Sequence, residues 1–264
     1  MGKPLVSIVT ISYNRAEHIE QAIRSVIDQD YPNIEYIVVD GGSTDGTVEV
    51  IKRYDDRIAK WVSEPDSGPN EAIRKALKMV KGDIIAFLNS DDYYADNSVI
   101  TRVVEVFERS PEVKMVYGIL NLVDNISGET IMLWGRDVDP SEIRKRMYLP
   151  TPTIFSRREI WEKVGPYREE YNYADDYEWA IRALKITRPY FLNHVITCMR
   201  DMGRSGQNYR EALAETARAL KENGYYADYL RTLVRNFVKV VLTEIGFKGL
   251  ISRVWKSNVG SKGV

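Results

Sequence analysis

Short apolar runs alternate with amphipathic stretches over the first 110 residues. Leu5 to Ile11 reads as a strand, Ala16 to Asp28 as an amphipathic helix and Ile34 to Val39 as a second strand, with Tyr31-Pro32-Asn33 breaking the chain between them. Ser43-Thr44-Asp45 caps a helix running to about Tyr54. Ile58 to Val62 is a short strand, Asn70 to Val80 a helix, Ile84 to Leu88 a fourth strand, and a further helix covers Asn97 to Phe107. This alternation predicts an α/β fold with a mostly parallel sheet flanked by helices.

Beyond residue 110 the rhythm changes. Lys114 to Val123 and Glu129 to Leu133 read as strands joined by the turn sequence Asn125 to Gly128. Pro140 to Met147 is a short helix, Thr153 to Phe155 a strand, and Arg157 to Val164 a helix ended by Gly165-Pro166. Asp176 to Leu184 is helical, Tyr190 to Met199 is a strand, and from Tyr209 the pattern stays helical to about Trp255. No internal repeat or clear linker interrupts the chain.

Polar residues at the strand ends carry the candidate chemistry. The run Ile84 to Leu88 ends abruptly in Asn89-Ser90-Asp91-Asp92. Two adjacent carboxylates repel unless a cation lies beside them, and the carboxyl end of a buried parallel strand is where open α/β sheets bind ligands. A hard divalent ion holding a diphosphate meets that need; a polar helix start accounts for the same residues without a ligand. The first strand delivers Thr10, Ser12, Tyr13, Asn14 and Arg15, hydroxyls and a guanidinium suited to a base or phosphate, or simply an Asn14 helix cap. Asp40 ends the second strand ahead of Gly41-Gly42, where it can accept from a ribose hydroxyl or a pyrimidine N–H, while Asp45 suits an Asx turn.

Val-Thr10-Ile-Ser12-Tyr13-Asn14-Arg15, Val-Val-Asp40-Gly41-Gly42-Ser43-Thr44-Asp45-Gly46-Thr47, Ser63-Glu64-Pro-Asp66-Ser-Gly68 and Leu-Asn89-Ser-Asp91-Asp92, in this order and spacing, resemble the family-2 glycosyltransferases of the GT-A fold. The resemblance spans about residues 5 to 205. It implies a GT-A catalytic domain over 1–206, with a nucleotide-sugar half to about 110 and an acceptor half from 111, followed by a helical C-terminal extension over 207–264. It further implies that Thr10, Ser12, Tyr13, Arg15 and Asp40 hold the nucleoside, with Glu64, Asp66, Gly68 and Lys75 flanking the sugar-nucleotide. Asp91 and Asp92 match the acidic pair that engages ribose and a Mn2+- or Mg2+-bound diphosphate; Asn89 stands where many members carry another Asp. Tyr173-Ala-Asp175-Asp176-Tyr, after Gly165-Pro166-Tyr167, matches the family's acid-Asp-Tyr motif and makes Asp176 the catalytic base with Asp175 its acidic neighbour. Glu178 and Trp179 face the acceptor or the core.

Two departures from the family pattern bear on the site. Arg200-Asp201-Met202-Gly203-Arg204-Ser205 has no His, so Asp201 is left to ligate the metal, or Arg200 and Arg204 to neutralise the diphosphate. Leu149-Pro-Thr-Pro-Thr153 also lacks a His, leaving Thr151 and Thr153 as weak acceptor-side candidates. The two histidines, His18 on the surface and His194 on a strand, are too few for a zinc site.

A net charge of -1 gives no global argument for nucleic acid. The single Cys198 fits a reducing cytosol, and a first strand beginning at Leu5 leaves no room for a signal peptide, so a cytoplasmic protein is expected, or one at the cytosolic face of a membrane. From Arg231 onward seven basic residues oppose the single acid Glu244, a local charge of +6 that leaves -7 for the remainder. Phe237 to Trp255 interleaves apolar and basic residues, a pattern equally suited to an anionic bilayer, to the catalytic domain or to a twin subunit in a homo-oligomer. The expected activity is therefore metal-dependent, inverting transfer from a nucleotide-diphosphate sugar to a saccharide or lipid-linked acceptor. The rivals are a nucleotidyltransferase, which should carry a Gly-rich phosphate loop after the first strand, and a nucleotide-sugar binding protein without catalysis.

Overall fold

The apolar runs of the first half assemble as parallel strands. The computed structural model describes residues 2–201 and 208–244, the side chains of 209 and 237–244 excepted. Strand β1 (Val6–Ser12) lies between β2 (Ile34–Asp40) and β4 (Ile84–Asn89), and β3 (Lys60–Ser63) pairs with β2, all in parallel. Val6 sits opposite both Ile34 and Ile84, which brings Ser12 opposite Asp40 at the far end. Successive strands step outward from β1 to β3, and the chain then returns to place β4 on the other side of β1. A crevice opens at such a reversal, outside the carboxyl ends of β1 and β4.

The second half extends the same sheet with mixed directions. It adds β5 (Tyr93–Tyr94), β6 (Met115–Val123), β7 (Thr130–Trp134), β8 (Phe155–Arg157) and β9 (Tyr190–Arg200). Among the described residues the order is β3-β2-β1-β4-β8-β6-β9-β5, with β7 on β6. Strand β8 runs antiparallel to both β4 and β6, while β6 and β9 are parallel. The short β5, directly after the Asp91-Asp92 turn, pairs antiparallel with β9 and so ties the acidic turn to the second half.

Helices cover both faces, because alternate residues of each strand point to opposite sides. On one face Val6, Ile8, Val38, Ile84, Ala86 and Leu88 pack with α1 (Ile19–Ile27), α2 (Thr47–Lys52) and α4 (Val99–Arg109). On the other, Val9, Ile37, Val39 and Ile85 meet α3 (Pro69–Leu77), α5 (Arg158–Val164) and α6 (Asp175–Leu184). Ile8 and Ile84 expose no surface, and each such burial is worth about 1.5–3 kcal/mol.

Several boundaries move from their expected places. The first helix begins at Ile19 rather than Ala16, residues 16–18 forming a turn that His18 N–H closes on Arg15 O at 3.0 Å. Pro140–Arg144 and Thr151–Thr153 are 3₁₀ turns, so the strand expected at Thr153 begins at Phe155. The long C-terminal helix is two, α7 (Tyr209–Glu222) and α8 (Tyr226–Glu244). Gly224 separates them with a left-handed φ of 86°, and Tyr225 N–H closes the end of α7 on Leu220 O at 2.8 Å. Ala219 and Leu220 of α7 are buried in the same apolar cluster as Val9 and Trp179. The part of the expected apolar tail from 245 to 255 lies outside the described residues, and none of the described helices is long and apolar enough to cross a membrane.

Candidate active site

The carboxyl ends of β1 and β4 form one wall of a cleft of about 880 Å3. Ser12, Tyr13 and Arg15 line it from β1, and Asn89, Ser90, Asp91 and Asp92 from β4. The loop after β1 is held by the loop after β2. Asn14 N–H donates to Ser43 Oγ at 2.8 Å, Thr44 N–H donates to Asn14 Oδ1 at 3.0 Å, and Arg15 N–H donates to Thr47 Oγ1 at 2.8 Å. Asn14 is thus a loop brace at φ 50° rather than a helix cap. Asp45 makes the Asx turn, accepting from Thr47 N–H at 3.0 Å.

Asp91 and Asp92 have unlike surroundings although they are neighbours. Asp91 faces Arg15, whose Nε lies 3.3 Å from its Oδ2. Asp92 is only 2 % exposed and accepts from the Asn89 side-chain amide at 2.9 Å. Burial, and then the charge of Asp91, push the Asp92 carboxyl up to about 8. Asn89 therefore acts as a donor to the buried carboxyl, which an aspartate at that position could not do when ionised.

The opposite wall comes from the start of α6. Asp175 and Asp176 occupy its first turn, where the helix dipole favours anions. Thr151 Oγ donates to Asp176 Oδ2 at 3.0 Å, and the Tyr177 backbone N–H donates to Oδ1 at 2.7 Å. Burial raises the Asp176 carboxyl above its ordinary range, against these two hydrogen bonds. Behind it Trp179 stacks on Trp161 at 4.3 Å, and the fully buried Glu178 is gripped by Arg182 at 2.8–2.9 Å, so both belong to the core.

Two cleft residues just before α6, Asn172 and Tyr173, carry no signal in the sequence beyond their place beside Asp175. Glu215 of α7 has none at all, being 39 positions from Asp176 in what reads as a separate helical extension. Its carboxylate accepts from three successive backbone N–H groups, Asn172 at 3.0 Å, Tyr173 at 2.8 Å and Ala174 at 3.0 Å. Such a row of N–H groups is a nest for an anion, and here it anchors the entry to the helix that carries the aspartates.

Of the other residues expected to hold a donor, Asp66, Gly68 and Arg200 line the cleft. Asp66 reaches it over Gly41, where a Cβ would stand 3.0 Å from its carboxylate, so a larger residue at 41 would displace it. Arg200 stacks its guanidinium 5.5 Å from the Tyr93 ring centre and donates to Gln21. The structure does not bring Thr10, Asp40, Glu64 or Lys75 into the cleft. Thr10 is buried and accepts from Tyr36. Asp40 is buried as well, its oxygens taken by the N–H groups of Gly42 and Ser43 and the hydroxyls of Ser43 and Ser63, so it organises the loop after β2. Glu64 and Lys75 pair with each other at 3.1 Å. Arg204 lies outside the described residues. His194 pairs with Asp96 at 2.8 Å and does not line the cleft.

Among the described residues no three His, Cys, Asp or Glu side chains converge as a closed metal cage. The Asp91–Asp92 pair suits a different mode, in which one or two carboxylates share a hard ion with substrate phosphates. Ser12 Oγ and Arg200 Nε are buried without a hydrogen-bond partner, and both residues line the cleft, as polar groups do where a ligand completes the site.

Known proteins share this arrangement of chain. An uncharacterised glycosyltransferase of Mycobacterium tuberculosis is 29% identical over 202 residues, 73% of this chain and 74% of that protein. TuaG of Bacillus subtilis, provisionally named a teichuronic acid biosynthesis glycosyltransferase, is 41% identical over 111 residues, 41% of this chain and 44% of that protein. The Staphylococcus aureus TarS fragment in complex with UDP-GlcNAc superposes with a TM-score of 0.65 at 18% identity, covering 82% of this chain and 66% of that one. The mannosyltransferase PcManGT of Pyrobaculum calidifontis, in complex with GDP-Man and Mn2+, gives 0.62 at 19% identity, covering 98% and 82%. The fold is that of the GT-A glycosyltransferases. Residues 7–157, more than half of the chain, match the family described as Glycosyl transferase family 2, and the chain belongs to that family.

Proposed function

We propose that this chain transfers a sugar from a nucleoside-diphosphate sugar to an acceptor hydroxyl, with inversion at the anomeric carbon. The observation that carries the reading is the facing of two aspartate pairs, Asp91–Asp92 and Asp175–Asp176, across one cleft. One pair suits a diphosphate and the other suits an acceptor. The donors bound by TarS, UDP-GlcNAc, and by PcManGT, GDP-Man, support a nucleotide sugar as the ligand class.

The donor diphosphate lies at the ends of β1 and β4, where Arg15 and Arg200 offset its charge. Asp92 and Asp91 would hold Mn2+ or Mg2+ there together with the diphosphate, and the bound ion would supply further charge neutralisation to the leaving group. The raised Asp92 carboxyl fits that role, since a buried acid beside a second carboxylate is what a cation would bring back to its ionised form. Asp176 takes the proton of the acceptor hydroxyl as its oxygen bonds to the anomeric carbon and the bond to the diphosphate breaks. Thr151 holds one Asp176 oxygen and the Tyr177 N–H the other, which sets the direction of proton transfer. One base and no enzyme nucleophile make a single displacement, hence inversion. The acceptor is a saccharide or a lipid-linked saccharide of a polysaccharide, the class supported by the name of TuaG.

The test is a screen of UDP- and GDP-sugars by thermal shift with and without manganese. Assay of released nucleoside diphosphate and NMR of the product anomer then follow. Manganese-dependent stabilisation by a sugar nucleotide and an inverted product are expected. Stabilisation without turnover against any saccharide or lipid-linked acceptor would favour a binding protein, and a retained anomer would remove Asp176 as sole base.

A further inference from the structure

Helix α8 buries one face and exposes another that is apolar. Tyr229 packs on the core, and Thr232 and Asn236 are buried, so the side of the helix facing the domain is occupied. Tyr226, Leu230, Leu233 and Val234 recur at i, i+4, i+7 and i+8 on a separate face, and they are 63%, 60%, 41% and 66% exposed. An exposed stripe of four large apolar residues on one helix is a contact surface rather than scattered surface hydrophobicity.

Charge decides what the stripe contacts. Arg231 and Arg235 follow it along the helix, and Arg235 donates to Lys145 O of the domain at 2.5 Å. Arg144 and Lys185 each lie 5.4 Å from the Tyr225 ring just before the helix begins. Of the five cations Arg144, Lys145, Lys185, Arg231 and Arg235, Lys145 and Arg231 pair closely with Glu142 and Asp228, and Lys185 and Arg144 also feel the carboxylates of Glu178 and Asp139, which leaves a cationic excess among these described residues. Beyond Glu244 the sequence adds Lys248, Arg253, Lys256 and Lys262 and no acid. A second copy seated on the stripe would bring the same cations against each other, and so would the chain's own residues beyond 244. An anionic bilayer satisfies both features, taking the apolar side chains at its interface while the flanking Lys and Arg meet its headgroups.

We propose that the exposed face of α8 docks this protein on an anionic lipid surface. The inference stands on the helix and its charges and is independent of the donor reading. The experiment is co-sedimentation of the full chain with vesicles of phosphatidylglycerol and phosphatidylcholine, against vesicles of phosphatidylcholine alone, over a salt series. Binding to the anionic vesicles alone is expected, falling as salt rises. Leu230→Asp with Val234→Asp, both at exposed positions, should lower the bound fraction at least tenfold with an unchanged melting temperature. No binding by the intact chain, equal binding to neutral vesicles, or equal binding by the double variant would each overturn the proposal. So would a wild-type dimer, seen by analytical ultracentrifugation, that the double variant converts to monomer, because the stripe would then belong to a second copy.

Discussion

Replacing Glu215 by alanine leaves the backbone N–H groups of Asn172, Tyr173 and Ala174 without the carboxylate that holds them at 2.8–3.0 Å. Asn172 is exposed and Tyr173 half-buried, so water can replace the lost acceptor at those two positions at small cost. Ala174 is 3 % exposed, and its N–H would lose its acceptor in a place water reaches poorly, worth about 1–3 kcal/mol. With some loss of charge-assisted bonding at the other two, the whole substitution should cost roughly 2–4 kcal/mol of stability. Ala174 directly precedes α6, so the released segment is the one that aims Asp175 and Asp176 into the cleft. A displacement near 1 Å there should lower kcat by about 10²-fold. Donor affinity should stay unchanged, because Arg15, Asp91 and Asp92 are carried by β1 and β4 and have no contact with Glu215. Glu215→Gln keeps one acceptor oxygen without charge and should recover part of both losses. The assay is donor turnover at 15 °C, where the variants remain folded, beside calorimetric titration of the nucleoside diphosphate. A variant that melts earlier but turns over normally would show Glu215 to be a structural cap only. Equal loss of donor affinity and of kcat would show that α7 supports the whole cleft rather than the aspartates.

Asp176→Asn, nearly isosteric, should retain donor binding and lose about 10²–10⁴ in turnover, the usual worth of a general base; calorimetry and initial rates separate the two, and a loss of donor affinity as large as the loss in rate would refute the base role. Asp92→Ala should abolish manganese-dependent binding of a nucleoside diphosphate, read by calorimetry, with the circular dichroism spectrum unchanged; undiminished binding would remove Asp92 from the site. The metal-free protein should also lose stability as pH rises. With Asp92 pushed up to about 8, the native state keeps a proton that the unfolded chain has released above about 4, so the stabilising contribution declines between those values. Melting temperatures from pH 5 to pH 8 should therefore fall more steeply for the wild type than for Asp92→Asn, and identical slopes would contradict the buried, protonated carboxyl.

The first half of the chain was legible because its signals are local. An apolar run such as Ile84 to Leu88 suits a strand buried on both faces between layers of helices, and the abrupt polar end at Asn89 to Asp92 announces the strand's carboxyl terminus. The reversal of strand order between β1 and β4 then turns those ends into a cleft. Residue type and strand position were enough to nominate Ser12, Tyr13, Arg15, Asp91 and Asp92 as its lining. They did not reveal the loop-holding bonds of Asp40, since what a carboxylate accepts from depends on what surrounds it. Three side-chain and backbone donors from the 42–43 loop, and a fourth from Ser63 on β3, claim it first. Asn89, standing where the resemblance implies another Asp, becomes a donor only once the turn brings the Asp92 carboxyl within 2.9 Å of its amide. Helical periodicity likewise marked the chain from Tyr209 to about Trp255 as helical, yet it cannot say what a helix packs on, because that is decided by contacts distant in sequence. Only the tertiary structure places Leu220 in the core, sets Glu215 beneath the N–H groups of 172–174, and leaves the second face of α8 exposed.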